Sequence, residues 1–236
     1  MKAIRTLALL TGLLVVSGVS QAQFSSTWTA VSDYDFRGYS QSAKNPALQA
    51  SADVTLGESG FSMGAWASNV DFDNDEDMEL DLYVNYAKEI NDHFTFVAGG
   101  TYYDYPLGGD LDGYPEFYIG ANIGNFGIKQ WYSDDFYALG DSAMYTEANY
   151  TQPIGEKFSL AFHVGYSWDD YWKNTLGDEL VDYAVQANYT FGKFTAFAKF
   201  TGTDASTSKG SKVTGDVGNN EPRGLIGIMT TFPWGD

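Results

Sequence analysis

The chain has 236 residues, 31 of them acidic and 13 basic, a formal net charge of −18 and no cysteine. So acidic a body excludes nucleic acid as a partner and docking on anionic lipid through a basic patch, and the missing cysteines exclude a disulfide framework. Tyr, Phe and Trp make up 17% of the residues, with 26 Gly and 6 Pro, a balance foreign to disordered acidic chains and suited to a transmembrane barrel with aromatic girdles and bent strands.

The first element is a leader. Lys2 and Arg5 precede an apolar run from Leu7 to Val16, and Ser20-Gln21-Ala22 supplies the small residues of a cleavage site. That order predicts a secretory signal peptide over residues 1–22, with cleavage after Ala22 and a mature domain over 23–236. The run is too short for a membrane anchor, which needs about 20 apolar residues. Losing the two basic residues of the leader makes the mature body more acidic still.

Beyond the leader, apolar and polar residues alternate with period 2, the signature of strands with one side on each face. About twelve segments of roughly ten residues are expected, near 26–37, 46–56, 60–71, 77–88, 93–104, 114–124, 126–133, 142–152, 157–169, 180–191, 193–203 and 222–232. In the fourth, Met78, Leu80, Leu82, Val84 and Tyr86 oppose Glu79, Asp81, Tyr83 and Asn85. In the ninth, Phe158, Leu160, Phe162, Val164, Tyr166 and Trp168 oppose Ser159, Ala161, His163, Gly165, Ser167 and Asp169. In the tenth, Val181, Tyr183 and Val185 oppose Asp182, Ala184 and Gln186. The connections alternate between short turns and longer polar loops at 38–45, 72–76, 105–113, 134–141, 170–179 and 204–221, the last expected to be long and mobile. The expected fold is therefore all-β, an antiparallel up-and-down transmembrane β-barrel with short turns and both termini on the periplasmic side. A soluble exported sandwich would also alternate, but its loops need not alternate in length.

The candidate site residues are those whose parity puts charge in the lumen. On the first strand Trp28, Ala30, Ser32, Tyr34 and Phe36 are expected toward lipid, and Thr29, Val31, Asp33, Asp35 and Arg37 toward the lumen. Asp33, Asp35 and Arg37 would then form one stripe near the outer rim, either a selectivity constriction or an ion-paired network that bolts a loop to the wall. Asp53, Glu79, Asp81, Glu116, Glu147, His163, Asp182 and Lys199 complete the set. Carboxylates outnumber bases, so an open interior would draw cations. Twelve strands lie between a filled barrel of eight and a wide channel of about sixteen, which predicts a narrow or partly plugged pore.

No catalytic residue, metal site or cofactor is expected. The run from Asp71 to Glu79 has calcium-loop charge, but Glu76 stands where the loop needs Gly and Leu82 where it needs a bidentate Glu, so it reads as a solvated acidic loop. Ser159 or Ser167 would lie about 13 Å along the wall from His163 at 3.3 Å per residue, too far for a nucleophile–base pair.

One segment carries a family resemblance. Val31-Ser32-Asp33-Tyr34-Asp35-Phe36-Arg37-Gly38-Tyr39-Ser40-Gln41 resembles the opening signature of the proteobacterial TorF porin family, also known as Gcw_chp. Pro46–Ala50, Gly64–Val70, Glu79–Tyr83 and the Tyr102, Tyr103, Tyr105, Pro106 cluster are similar to motifs that follow in that family. The resemblance implies an outer-membrane barrel of Gram-negative bacteria with a transport role and no assigned solute or catalytic residue. It departs at the end: Thr231-Phe232-Pro233-Trp234-Gly235-Asp236 lacks a terminal aromatic residue, so Phe232 or Trp234 must serve in assembly. The expected partners are outer-membrane lipid and lipopolysaccharide, small hydrophilic solutes and, during biogenesis, the barrel-assembly machinery. The expected function is passive, cation-preferring passage of solutes; the alternative is a closed barrel with a structural or lipopolysaccharide-binding role.

Overall fold

A computed structural model of the protein describes residues 22–107, 112–207 and 211–234. The leader expected over 1–22 lies outside the described residues except for Ala22, which opens the first strand.

Fourteen strands follow in chain order: β1 (Ala22–Val31), β2 (Asp35–Phe36), β3 (Tyr39–Ser40), β4 (Ala47–Leu56), β5 (Phe61–Asn69), β6 (Met78–Asn91), β7 (Phe94–Leu107), β8 (Tyr114–Ile123), β9 (Phe126–Ser133), β10 (Ala143–Ile154), β11 (Phe158–Trp168), β12 (Leu180–Phe191), β13 (Phe194–Thr203) and β14 (Arg223–Phe232). Twelve of them close into one antiparallel barrel in which β1 pairs with both β4 and β14. The short β2 and β3 pair only with each other. A single-turn helix, α1 (Asp170–Thr175), sits between β11 and β12. The twelve wall strands coincide with the twelve expected segments, and their boundaries differ by a few residues, most at the first, where the wall strand ends at Val31 rather than 37.

Turns of two to four residues join the strands at one end (57–60, 92–93, 124–125, 155–157 and 192–193), and longer segments join them at the other. Both described chain ends lie at the short-turn end, since Ala22 pairs with Leu56 and Phe232 with Ser26. The outward face is apolar: Leu82, Val84, Ile119, Phe162, Val164, Val185, Phe200 and Ile226 are all exposed. Exposure of so many large side chains is untenable in water and is what a lipid-facing wall requires.

The buried apolar cores sit at the long-loop end. One gathers Tyr103, Tyr105, Tyr114, Phe136, Tyr171, Trp172 and Leu180; the other gathers Val31, Tyr34, Ala47, Val70 and Leu225. Phe36 packs against both. Inward-facing glycines make room for large side chains on the next strand. A Cβ at Gly165 would collide with the Tyr145 hydroxyl and the Asp182 carboxylate, so glycine there lets an aromatic ring lie flat along the wall.

Two expectations about the loops are corrected. The described part of the last loop is folded down: Ser211, Asn219 and Asn220 are buried, Asn220 Nδ2 donates to the Ser211 carbonyl at 2.9 Å, and the Ser40 amide donates to the Asn219 carbonyl at 2.8 Å. In the acidic run, Glu76 is buried rather than solvated.

Candidate functional site

After Val31 the chain leaves the wall. Residues 32–46 fold into the barrel as a hairpin whose strands are β2 and β3. Its two-residue turn is Arg37-Gly38, with φ of 50° and 83°, both positive as a type I′ hairpin turn requires. Glycine is needed at 38: beyond its φ, a Cβ there would press on Thr203 Cγ2 at 2.5 Å. Ser42 Oγ and the Asp33 carboxylate hold the base of the hairpin, for Asp33 Oδ1 accepts from Ser40 Oγ at 2.6 Å and from Ser42 Oγ at 3.2 Å.

This overturns the single stripe expected on the first strand. Asp33, Asp35 and Arg37 belong to an inserted hairpin and reach different walls. Tyr34 and Phe36, expected toward lipid, point inward: Tyr34 is buried and tilts on Trp66 with ring centroids 5.3 Å apart, and Phe36 meets Tyr103 edge-on at 6.0 Å. Period-2 parity fails at the point where the chain stops being a strand.

Ion pairs fasten the hairpin on opposite sides. On β14, Arg223 donates through Nε to Asp33 at 2.6 Å, through Nη2 to Asp35 at 2.5 Å and through Nη1 to the Gly38 carbonyl at 2.7 Å. On β13, Lys199 Nζ reaches Asp35 at 2.7 Å. Across the lumen, Arg37 forms a two-pronged pair with Glu116 on β8, at 3.0 and 2.8 Å. Its guanidinium lies 4.0 Å from the Tyr145 ring centroid and 4.7 Å from that of Phe36. Burial disfavours the Arg37 charge, but the Glu116 carboxylate beside it outweighs burial and holds its pKa above the ordinary arginine value. Tyr34 is held neutral, chiefly by burial and next by the Glu79 carboxylate, to which its hydroxyl donates at 3.3 Å.

The remaining candidates form two groups. Asp53, Glu79 and Asp81 lie on β4 and β6, the two strands that flank β5. Asp53 accepts from Ser51 Oγ at 2.7 Å and from the Tyr83 hydroxyl; none of the three has a cation within ion-pair distance among the described residues. On the far wall His163 has Nε2 2.9 Å from both Asp182 Oδ1 and the Tyr145 hydroxyl, and Nδ1 2.7 Å from Asn149 Oδ1. Glu147 accepts from Trp131 Nε1 at 2.8 Å and from Asn149 Nδ2 at 2.9 Å. Every partner described on His163 is a wall group, and no serine is among them. Lys129 rests on the rings of Tyr118 and Trp131, at 4.5 and 5.2 Å.

Three cavities surround the hairpin. One of about 220 Å³ is lined by Asp35, Arg37, Glu147, His163, Asp182 and Lys199. A second of about 360 Å³ is lined by Tyr34, Trp66, Asp81 and Tyr83. A third of about 300 Å³ lies among the long loops and is aromatic. Phe36 borders all three. Sequence parity could have found Arg223, two residues before the inward-facing Leu225 of the last strand. Nothing in the sequence marked Phe36 as the side chain between the cavities.

A closed twelve-strand antiparallel barrel with an apolar outer face and a charged interior defines the class: a transmembrane-type β-barrel. Within that class the chain belongs to the Gcw_chp family, described as a bacterial protein of unknown function, whose family model matches residues 16–232. No curated protein matches the sequence. Among solved structures, the NanC porin shares the fold at 14% identity and a TM-score of 0.56, over 89% of this chain and 98% of its own. The KdgM porin shares it at 9% identity and a TM-score of 0.53, over 88% of this chain and 99% of its own; it has also been solved in complex with disordered oligogalacturonate, at a TM-score of 0.52 and 7% identity over the same 88% of this chain and 99% of its own.

Proposed function

We propose that the protein is an outer-membrane channel for small hydrophilic solutes, with its passage narrowed by the first-loop hairpin and biased toward cations. The observation that carries this reading is the placement of Phe36, at the tip of an inserted hairpin and on the border of cavities at both sides of it. A structural barrel needs no cavities, whereas a channel needs a lined path and a constriction. The porin names of the two fold neighbours support the same reading, as does the transport role that the TorF resemblance implies. The oligogalacturonate of one neighbour is not carried over, because acidic side chains outnumber basic ones in this lumen, which favours cations. The leader over 1–22 and an outer-membrane destination complete the proposal.

Single-channel recording of the purified full-length protein in planar bilayers is the test. The wild type should give small, resolved conductance steps, and Phe36→Ala should enlarge them by removing the ring between the cavities. The ion pairs that fasten the hairpin favour a second reading, a closed barrel with a structural or lipopolysaccharide-binding role. That reading wins if neither protein conducts.

A further inference from the structure

His163 projects from β11 into the cavity beneath the hairpin, with its side chain 24% exposed. Which protons its ring carries follows from its partners, because each of them is tied to a further group. Asn149 Nδ2 donates to Glu147 Oε2 at 2.9 Å, and a carboxylate can only accept, so the amide cannot be turned round. Asn149 Oδ1 therefore faces His163 Nδ1 at 2.7 Å, and Nδ1 must carry a hydrogen.

On the other side of the ring, Nε2 lies 2.9 Å from both Asp182 Oδ1 and the Tyr145 hydroxyl, and that hydroxyl is 3.3 Å from Asp182 Oδ1. With a neutral ring, Nε2 and Asp182 are two acceptors that share one hydroxyl hydrogen. Either the ring nitrogen or the carboxylate is then left without a donor, and Asp182 is 3% exposed with Oδ2 already unpartnered beside Gly165. A hydrogen on Nε2 removes the conflict, so the arrangement requires the doubly protonated, positively charged ring. The surrounding charges agree. Lys199 on β13 and Arg37 at the hairpin turn also face the cavity, but they are paired with Asp35 and Glu116, and Lys129 on β9 rests on two rings. Asp182 on β12 and Glu147 on β10, the latter 3.8 Å from Nδ1, have His163 between them.

Both neighbours of Nε2 seat the hairpin. The Tyr145 ring lies against the Arg37 guanidinium at 4.0 Å, and the turn rests on Asp182, where a Cβ added to Gly38 would come within 3.1 Å of Asp182 Cβ. Loss of the Nε2 proton leaves a buried carboxylate facing a nitrogen lone pair at 2.9 Å, directly under the turn. Such a group is satisfied only by admitting water or by moving away. We propose that His163, Tyr145 and Asp182 form a proton-operated latch beneath the hairpin tip: the charged ring holds the Arg37-Gly38 turn seated, and loss of its proton as pH rises releases it. The latch concerns the seating of the hairpin and stands whether or not the barrel conducts.

Peptide-resolved hydrogen exchange of the full-length protein in detergent tests this at pH values of about 5 and about 9, either side of the ordinary histidine range, with rates corrected for the chemical effect of pH. Residues 32–46 should exchange roughly tenfold faster at the higher pH, the order expected for one stranded buried group, while peptides of β4 and β5 stay protected. Asp182→Asn leaves no carboxylate to strand, so its hairpin should stay slow at both pH values. His163→Gln cannot change charge and should lose the step. Nitrogen NMR of the two imidazole rings in the chain identifies His163 by its loss in His163→Gln. Both of its nitrogens should be protonated at the lower pH, and one should lose its proton over the pH range of the hairpin step. Circular dichroism establishes that the variants are folded. Equal corrected rates in the wild type, fast hairpin exchange in Asp182→Asn, a step that persists in either variant, or a singly protonated His163 ring at the lower pH would each overturn the latch.

Discussion

Arg37 holds a left-handed backbone conformation, which costs a non-glycine residue roughly 1–2 kcal/mol. It is retained because its side chain is buried against Glu116, at 6% and 1% exposure. Removing one member of such a pair strands a buried charge, at a cost of about 3–5 kcal/mol. Arg37→Ala should therefore destabilise the folded barrel by that order in urea titrations, and adding Glu116→Gln to it should recover part of the loss. Equal losses in the single and double variants would show that the pair is not the source. On the outer face the argument turns on lipid. Leu82 is 53% exposed and Asp81 next to it faces the interior. Leu82→Arg should cost about 2–4 kcal/mol if its level is near the bilayer midplane, while Asp81→Asn should be mild. A larger loss for Asp81→Asn would mean that the two faces are exchanged.

Among the elements, the inserted hairpin is the one whose behaviour is not dictated by the barrel. Its two strands form a ladder only with each other, backbone bonds such as Ser40 N–H to the Asn219 carbonyl tie it to the neighbouring loops, and its attachment to the walls runs largely through side chains: Arg223 and Lys199 on one side, Glu116 on the other. Arg37→Asn separates the turn from the latch, because Asn tolerates positive φ while losing the pair with Glu116. The hairpin should still form, but open events in bilayer recordings should become more frequent than in the wild type. Unchanged gating would mean that the Arg223 and Lys199 contacts suffice to hold it. The wall strands, by contrast, are fixed by continuous ladders such as the eleven pairs from Met144↔Trp168 to Ile154↔Phe158 between β10 and β11, and single lumen substitutions should leave them intact.

For the molecule as a whole, charge is distributed across the lumen. The bases Arg37, Lys199 and Arg223 are paired with Glu116, Asp33 and Asp35, which leaves Asp53, Glu79 and Asp81, on β4 and β6, without a cation partner. Fixed negative charge beside a low-dielectric wall concentrates cations, and added salt screens it over about 10 Å at 0.1 M. Reversal potentials across a potassium chloride gradient should show cation preference that weakens as salt rises. Neutralising Glu79 and Asp81 together should reduce it more than neutralising Asp73 and Asp75, which lie in the exposed loop between β5 and β6. Chloride preference in the wild type would defeat the proposed selectivity. Protein recovered from outer-membrane fractions should begin at Gln23 on N-terminal sequencing; a retained Met1 would contradict the expected leader.

The sequence by itself determined the wall. Alternation places each side chain on one of two faces, and a barrel needs little more than that repeated with turns between, so twelve strands, their facing and the alternation of short and long connections were all legible. The inward positions of Glu79, Asp81, Glu116, His163 and Asp182 follow from the same parity. Only the tertiary structure decided the site. Asp33-Tyr34-Asp35-Phe36-Arg37 alternates as a strand does, and Arg-Gly lacks the Asn-Gly or Asp-Gly signature of a tight hairpin, so nothing local announces that the chain turns inward after Val31. What turns it are partners 79 to 190 residues away, Glu116 for Arg37 and Arg223 for Asp33. Ion pairs and ring contacts over such separations exist only once the barrel has closed, which is why the hairpin, the border position of Phe36 and the aromatic cavity beyond it belong to the fold and not to the pattern.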